Sequence, residues 1–202
     1  MTKTTLKTLA LVVALFSLAV AKETKFADKR DGKVYATTKI GKQVWMAENL
    51  NYAMDSSWCY KDDPANCKKY GRLYTWDAAM KACPKGWHLP TKEEWGALGS
   101  AIGEEAGTKL KSKEWDGSDA LGFNALPAGQ RFGSGQHAVG DRRYGEGDAY
   151  GMGTVARFWA ATVFEYDDET VYISVLGSNH AILATGGLST KDDALSVRCV
   201  KD

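Results

Sequence analysis

The chain has 202 residues, 44% of them hydrophobic and 25% charged, a formal net charge of +1, and a high share of glycine (21) and tryptophan (7). These values exclude a disordered chain, a collagen-like repeat and a helical membrane bundle. The length suits one domain, and a chain of this size buries roughly 70% of its unfolded surface, so disulfides need not stand in for a core.

Residues 1–21 read as a secretory signal peptide. Lys3 and Lys7 form a basic start, residues 9–20 are apolar apart from Ser17, and Ala19-Val20-Ala21 supplies the small residues of a cleavage site. The apolar run falls short of the roughly 20 residues needed to span a bilayer. Residues 22–30 read as a short linker and residues 31–202 as the domain. Cleavage would remove Lys3 and Lys7 and take the charge from +1 to −1. Such a balance gives no electrostatic case for nucleic acid or an anionic membrane surface. The expected location is secreted or cell-surface, with no stable membrane insertion once the leader is removed.

Lys33-Val-Tyr-Ala-Thr-Thr and Gln43-Val-Trp-Met-Ala are β-prone runs separated by a turn at Gly41, which predicts a hairpin. The polar stretch 48–70 reads as a loop. Leu73, Trp76, Ala79, Met80 and Cys83 recur at helical spacing, with Thr75 able to cap and Pro84 and Gly86 as stops. A second helix begins at Thr91, where Glu94 completes a capping box; Trp95, Leu98 and Ile102 form its stripe and Gly103 its end. Strands are expected at 123–126, 155–163, 171–176, 181–185 and 195–200. Between them, eight of the 25 residues in 129–153 are Gly, and an irregular segment of that length is functional or mobile. The order predicts an α+β domain.

Four cysteines follow the leader: Cys59, Cys67, Cys83 and Cys199. An even count in an exported chain implies disulfides, with three connectivities. Cys83 shares the apolar stripe of the first helix. Cys199 shares a face of the last strand with Leu195 and Val197. Cys59 and Cys67 lie together in one polar stretch. The pairing predicted is therefore Cys59–Cys67 and Cys83–Cys199, stabilising by about 2.6 and about 4.9 kcal/mol in the chain-entropy picture.

Several strings carry a resemblance: Asp31-Gly-Lys-Val-Tyr, Ile40-Gly-Lys-Gln-Val-Trp-Met-Ala-Glu-Asn-Leu-Asn-Tyr, Gly71-Arg-Leu-Tyr-Thr-Trp, Ala82-Cys-Pro-Lys-Gly-Trp-His-Leu-Pro-Thr with Glu94-Trp95, Ala125-Leu-Pro-Ala-Gly, Phe158-Trp159 and Ser196-Val-Arg-Cys-Val. Together they resemble the Fibrobacter succinogenes major paralogous domain family. That family is similar, more distantly, to C-type-lectin-like domains and to the formylglycine-generating (sulfatase-modifying) fold. The resemblance implies two helices packed on a twisted antiparallel sheet with a long irregular loop region and adjacent chain ends. It also implies a bridge from the first helix to the last strand, secreted or surface proteins, and no established chemistry.

No catalytic set stands out. There is no Gly-x-Ser-x-Gly elbow, no dinucleotide fingerprint and no singled-out carboxylate pair. His88, His137 and His180 show no metal-ligand spacing, and no cofactor is expected. Asp167-Asp168-Glu169 with Glu165 offers oxygen ligands for Ca²⁺, against the plainer reading of a turn between two strands. The candidate ligand-binding residues are Arg142, Arg143, Tyr144, Tyr150, Trp159 and Tyr166. Flat rings beside hydrogen-bonding rims suit a sugar or protein face, while Trp159, beside Phe158 in a strand, also reads as core. The expected function is a non-catalytic binding or adhesion module for an extracellular glycan or surface protein. The alternatives are an enzyme on the formylglycine-generating scaffold and a structural surface protein.

Overall fold

A computed structural model describes residues 24–135, 151–178 and 180–202. The first elements are three antiparallel strands, β1 (Thr24–Ala27), β2 (Val34–Ile40) and β3 (Gln43–Met46). The hairpin at Gly41 is as expected. Within the stretch expected as a linker, residues 24–30 supply β1 and a tight turn. There the buried Asp28 carboxylate accepts from Arg30 Nε at 3.0 Å and Nη2 at 2.7 Å.

The polar stretch 48–70 is not plain loop. It holds β4 (Ser57–Trp58), a 3-10 turn (Tyr60–Asp62) and helix α1 (Pro64–Tyr70). Asp63 caps α1 by accepting from the Ala65 N–H at 2.9 Å, with Pro64 next in line and Lys68 and Lys69 in the last turn. These are sound start and stop signals. What α1 lacks is an apolar stripe: it buries Cys67 alone, and the Cys59–Cys67 bond anchors it. Gly71 ends it at φ +77°, where a Cβ would come within 2.7 Å of the Asn49 Cβ.

The helical spacing begins at Leu73, but Leu73 and its neighbour Tyr74 are extended. They form strand β5 (Leu73–Tyr74), and α2 (Trp76–Ala82) starts only after its cap, Thr75. Strand β6 (Trp87–His88) leads into α3 (Lys92–Ile102), whose Thr91–Glu94 capping box is complete. Gly103 closes α3, and α4 (Ala106–Leu110) and a 3-10 turn (Lys113–Trp115) follow. The strand expected at 123–126 reduces to one bridge between Lys111 and Ala125. Strands β7 (Val155–Val163) and β8 (Thr170–Gly177) match expectation, while β9 (Ala184–Thr190) begins later than expected.

The last expected strand is split into β10 (Leu195–Ser196) and β11 (Val200–Lys201), which belong to different sheets. One sheet runs β1-β2-β3-β11-β6 and the other β4-β5-β10-β7-β8-β9. All pairings are antiparallel except β10 with β7. The described chain is thus an α+β fold with few helices.

Strand β7 is buried on both faces because its side chains alternate. Phe158 and Ala160 pack with Trp45, Trp95 and Phe123; Trp159 packs on the other side with Met46, Tyr74 and Val197. Trp95 stacks on Phe158 with centroids 5.3 Å apart. Full burial of one such ring stabilises by roughly 2–3 kcal/mol. Both predicted disulfides are present, Cys59–Cys67 and Cys83–Cys199. The second spans 116 residues and ties the end of α2 to the crossing between the sheets.

Candidate functional site

The β7–β8 turn carries the most exposed aromatic ring of the described residues. Tyr166 is 83% exposed. Its ring meets Phe164 edge-on at 5.3 Å, and Phe164 meets Tyr172 of β8 at 5.7 Å. Strand pairing sets the exposed Leu188 of β9 opposite Tyr172. The three rings form a stepped apolar rim, from solvent at Tyr166 to burial at Tyr172.

Charged groups fix this rim. Tyr172 Oη donates to Glu165 Oε2 at 2.7 Å, and the Lys92 ammonium lies 3.6 Å from the Tyr172 ring centroid. That hydrogen bond holds the Glu165 carboxyl below its usual range, and the same tyrosine raises the Lys92 ammonium. Lys92 sits in the first turn of α3, whose backbone is bonded to β7 through Lys92 N–H and Thr162 Oγ1 at 3.0 Å. The rim therefore leans on α3 through Lys92 and on β8 through Tyr172, while the β7–β8 turn supplies Phe164, Glu165 and Tyr166.

Two carboxylates of the acidic cluster beside it are hydrogen-bonded within the turn. Asp167 Oδ1 accepts from the Glu169 N–H at 3.0 Å and Oδ2 from Thr170 Oγ1 at 2.5 Å. These bonds, Thr170 first, lower the Asp167 carboxyl. With Glu165 bonded to Tyr172, these two carboxylates brace the turn. Among the described residues no three His, Cys, Asp or Glu side chains converge as a metal-binding group.

Of the sequence candidates, Tyr166 is where a ligand could touch it. Trp159 is fully buried, and its Nε1 donates to the Tyr74 carbonyl at 2.7 Å, so it is a core residue. Arg142, Arg143, Tyr144 and Tyr150 lie outside the described residues, as does His137. Other loop aromatics scatter: Tyr60 and Trp115 are buried, and Trp58 is half-buried with the Arg131 guanidinium 4.1 Å from its ring centroid. Sequence reasoning missed Lys92, Tyr172 and Leu188. Strand alternation with an antiparallel register could have paired Tyr172 with Leu188; nothing local in the sequence points Lys92 at them.

His88 is bracketed by two carboxylates. Its Nδ1 lies 2.6 Å from Asp202 Oδ1 and its Nε2 lies 2.9 Å from Glu94 Oε1. Burial alone would disfavour the imidazolium, but hydrogen bonds to Asp202 and Glu94 win and raise its pKa.

The model of the Fibrobacter succinogenes major domain matches residues 38–201. The chain belongs to this family. No curated protein and no solved structure matches it. The family match takes in α1 to α4, both disulfides, the buried tryptophans and the aromatic rim, whereas β1 and the start of β2 precede it. Among the described residues of this family domain, no helix is long and apolar enough to cross a membrane.

Proposed function

We propose that this Fibrobacter succinogenes major domain is a non-catalytic binding module, exported to the cell surface or beyond, with a C-type-lectin-like arrangement. Its partner is an extracellular polysaccharide or a surface protein. The observation that carries the reading is the Phe164–Tyr166–Tyr172 rim: an exposed ring on a rigid base, edged by an ammonium and a carboxylate. Apolar area with hydrogen-bonding edges is what sugar or protein recognition requires.

Two further features support it. All four cysteines are held in disulfides, which fits an oxidising environment and leaves no thiol for the chemistry of a formylglycine-generating enzyme. The long Cys83–Cys199 bond and the two helices α2 and α3 are in keeping with the C-type-lectin-like plan.

The test is a glycan array together with cellulose and xylan pull-down and surface-protein capture, using the exported protein and its Tyr166→Ala variant. Binding that falls about tenfold or more in the variant, at unchanged stability, supports the rim. Equal binding by both proteins removes it as the site. A turnover of any captured partner would replace the binding-module reading with an enzymatic one.

A further inference from the structure

A separate concavity shares no residue with the aromatic rim. It is a cleft of about 650 Å³ lined by Lys69, Ser112, Lys113, Glu114, Asp119 and Asn124, with Leu126 beside them. A narrower cavity of about 240 Å³ shares Lys69, Asn124 and Leu126 with it and continues toward Lys33, Glu48 and Asn51. The two form a continuous groove within the size range of small-ligand sites.

Three pieces of chain build the wall. Lys69, at the end of α1, pairs with Glu114 of the 3-10 turn at 3.3 Å. Asp119 Oδ1 accepts from the Asn124 N–H at 2.7 Å, with Asn124 in the left-handed region at φ +52°. Behind this loop the buried Arg198 donates to the carbonyls of Phe123 and Asn124. The backbone under the cleft is thus pinned, while the Asn124 carboxamide shows no hydrogen-bond partner among the described residues and Lys113 stands near the Asp119 carboxylate.

Ser112 supplies the independent observation. It is 2% exposed, and its backbone is fully used: the N–H donates to the Ala125 carbonyl at 2.9 Å, and its own carbonyl accepts from the Trp115 and Gly117 N–H groups, each at 3.0 Å. Its hydroxyl has no partner. Ser112 stands at the cap position of the 3-10 turn, where a serine hydroxyl normally bonds the turn's backbone, yet it makes no such bond. A buried hydroxyl left unpaired in the wall of a cleft is a cost the fold does not recover by itself.

The lining decides the ligand class. Across the two cavities Lys33, Lys68, Lys69 and Lys113 stand against Glu48, Glu114 and Asp119, a near balance of charge. Neither a polyanion nor a polycation gains from that balance. A hydroxyl both donates and accepts, so it can meet either kind of group, and Leu126 offers a small apolar floor to a sugar's C–H face. Burial pushes the Asp119 carboxyl up, which marks the cleft as partly shielded from water.

We propose that this groove, with Ser112, Lys113, Asp119 and Asn124 as its polar contacts, is a binding site for a short neutral oligosaccharide. It rests on the binding-module reading but places a ligand away from the rim. The test is amide-shift mapping of the purified full chain with cellohexaose, xylohexaose, maltohexaose and, as the charged counterpart, an oligogalacturonate. A neutral probe is expected to shift Ser112, Asp119 and Asn124. Ser112→Ala and Lys113→Ala should each weaken binding about tenfold, the loss of one good hydrogen bond. Ser112→Ala should do so without lowering Tm, which a purely structural role for that hydroxyl would not allow. Shifts confined to Phe164, Tyr166 and Tyr172 would overturn the groove and leave the rim standing. Binding of oligogalacturonate alone, wild-type affinity in both variants, or no shift with any probe would also overturn it. In that last case capture of a surface protein through Tyr166 would still uphold the broader function.

Discussion

Asn49 Oδ1 accepts from both Nε and Nη2 of Arg198, at 3.1 and 2.7 Å. Arg198 is fully buried, and its remaining contacts are the carbonyls of Met46, Phe123 and Asn124 and the faces of Phe123 and Phe158. A guanidinium thus sits in the core hydrogen-bonded to neutral acceptors, with the Glu48 and Asp119 carboxylates favouring its charge from nearby. Burial lowers it to about 9, still well above neutral pH, so it stays a cation. Asn49→Ala would strip two donors of their acceptor and is expected to cost about 3 kcal/mol in chemical denaturation. A loss below about 1 kcal/mol would show that water or a neighbouring carbonyl replaces the amide.

The two disulfides should differ in weight. Cys83–Cys199 closes a 116-residue separation and Cys59–Cys67 one of 8. Paired Cys→Ala substitution is expected to cost about 5 kcal/mol for the long bridge and about 2.5 kcal/mol for the short one. Denaturation midpoints in that order check the claim; the reverse order would mean that α1 depends on its bridge more than the sheet crossing does on its own.

His88 makes stability depend on pH. Its folded pKa is raised by Asp202 and Glu94, so the extra stability is complete below the ordinary histidine value near 6.5 and disappears as pH rises through the raised one. Thermal unfolding from about pH 5 to about pH 9 should show this decline, and His88→Gln should flatten it. An imidazole titrating by NMR at or below the ordinary value would disprove the clasp.

Asp28 acts at the acid end. Burial alone would raise its carboxyl, yet hydrogen bonds and charge from Arg30 lower it. Its contribution is therefore present above the ordinary carboxylate range near 3.9 and is lost as pH falls through the lowered value. Because Arg30 Nη2 also donates to the Ala82 carbonyl at 2.8 Å, Arg30→Ala should both weaken acid resistance and loosen β1 from α2. Hydrogen exchange on the β1 amides reads out the second effect.

Trp159 and Tyr166 should separate stability from binding. Trp159→Ala removes a fully buried ring and is expected to cost about 3–5 kcal/mol. Tyr166→Ala removes an exposed one and should change stability by no more than about 0.5 kcal/mol. Paired denaturation curves decide it, and a large loss at Tyr166 would make the rim structural.

Legibility followed the range of the interaction. The Thr91–Glu94 box, the hairpin at Gly41, and strands β7 and β8 were readable because caps, turns and alternation act within a few residues. Helix α1 was not, since a helix with one buried residue carries no periodic signal and is held by a disulfide instead. Leu73 matched a helical spacing but pairs with Trp58 and Ser196, partners its local sequence does not contain.

The linear chain by itself determined the α+β class, the cysteine pairing and the element boundaries from 91 to 103 and, to within a residue, from 155 to 177, because periodicity and capping are local. Only the tertiary structure decided that residues 195–201 cross between two sheets, that the buried Arg198 is hydrogen-bonded by neutral acceptors, and that Lys92 and Leu188 meet at Tyr172. Those relationships join residues far apart in sequence, and they exist because the core closes around β7.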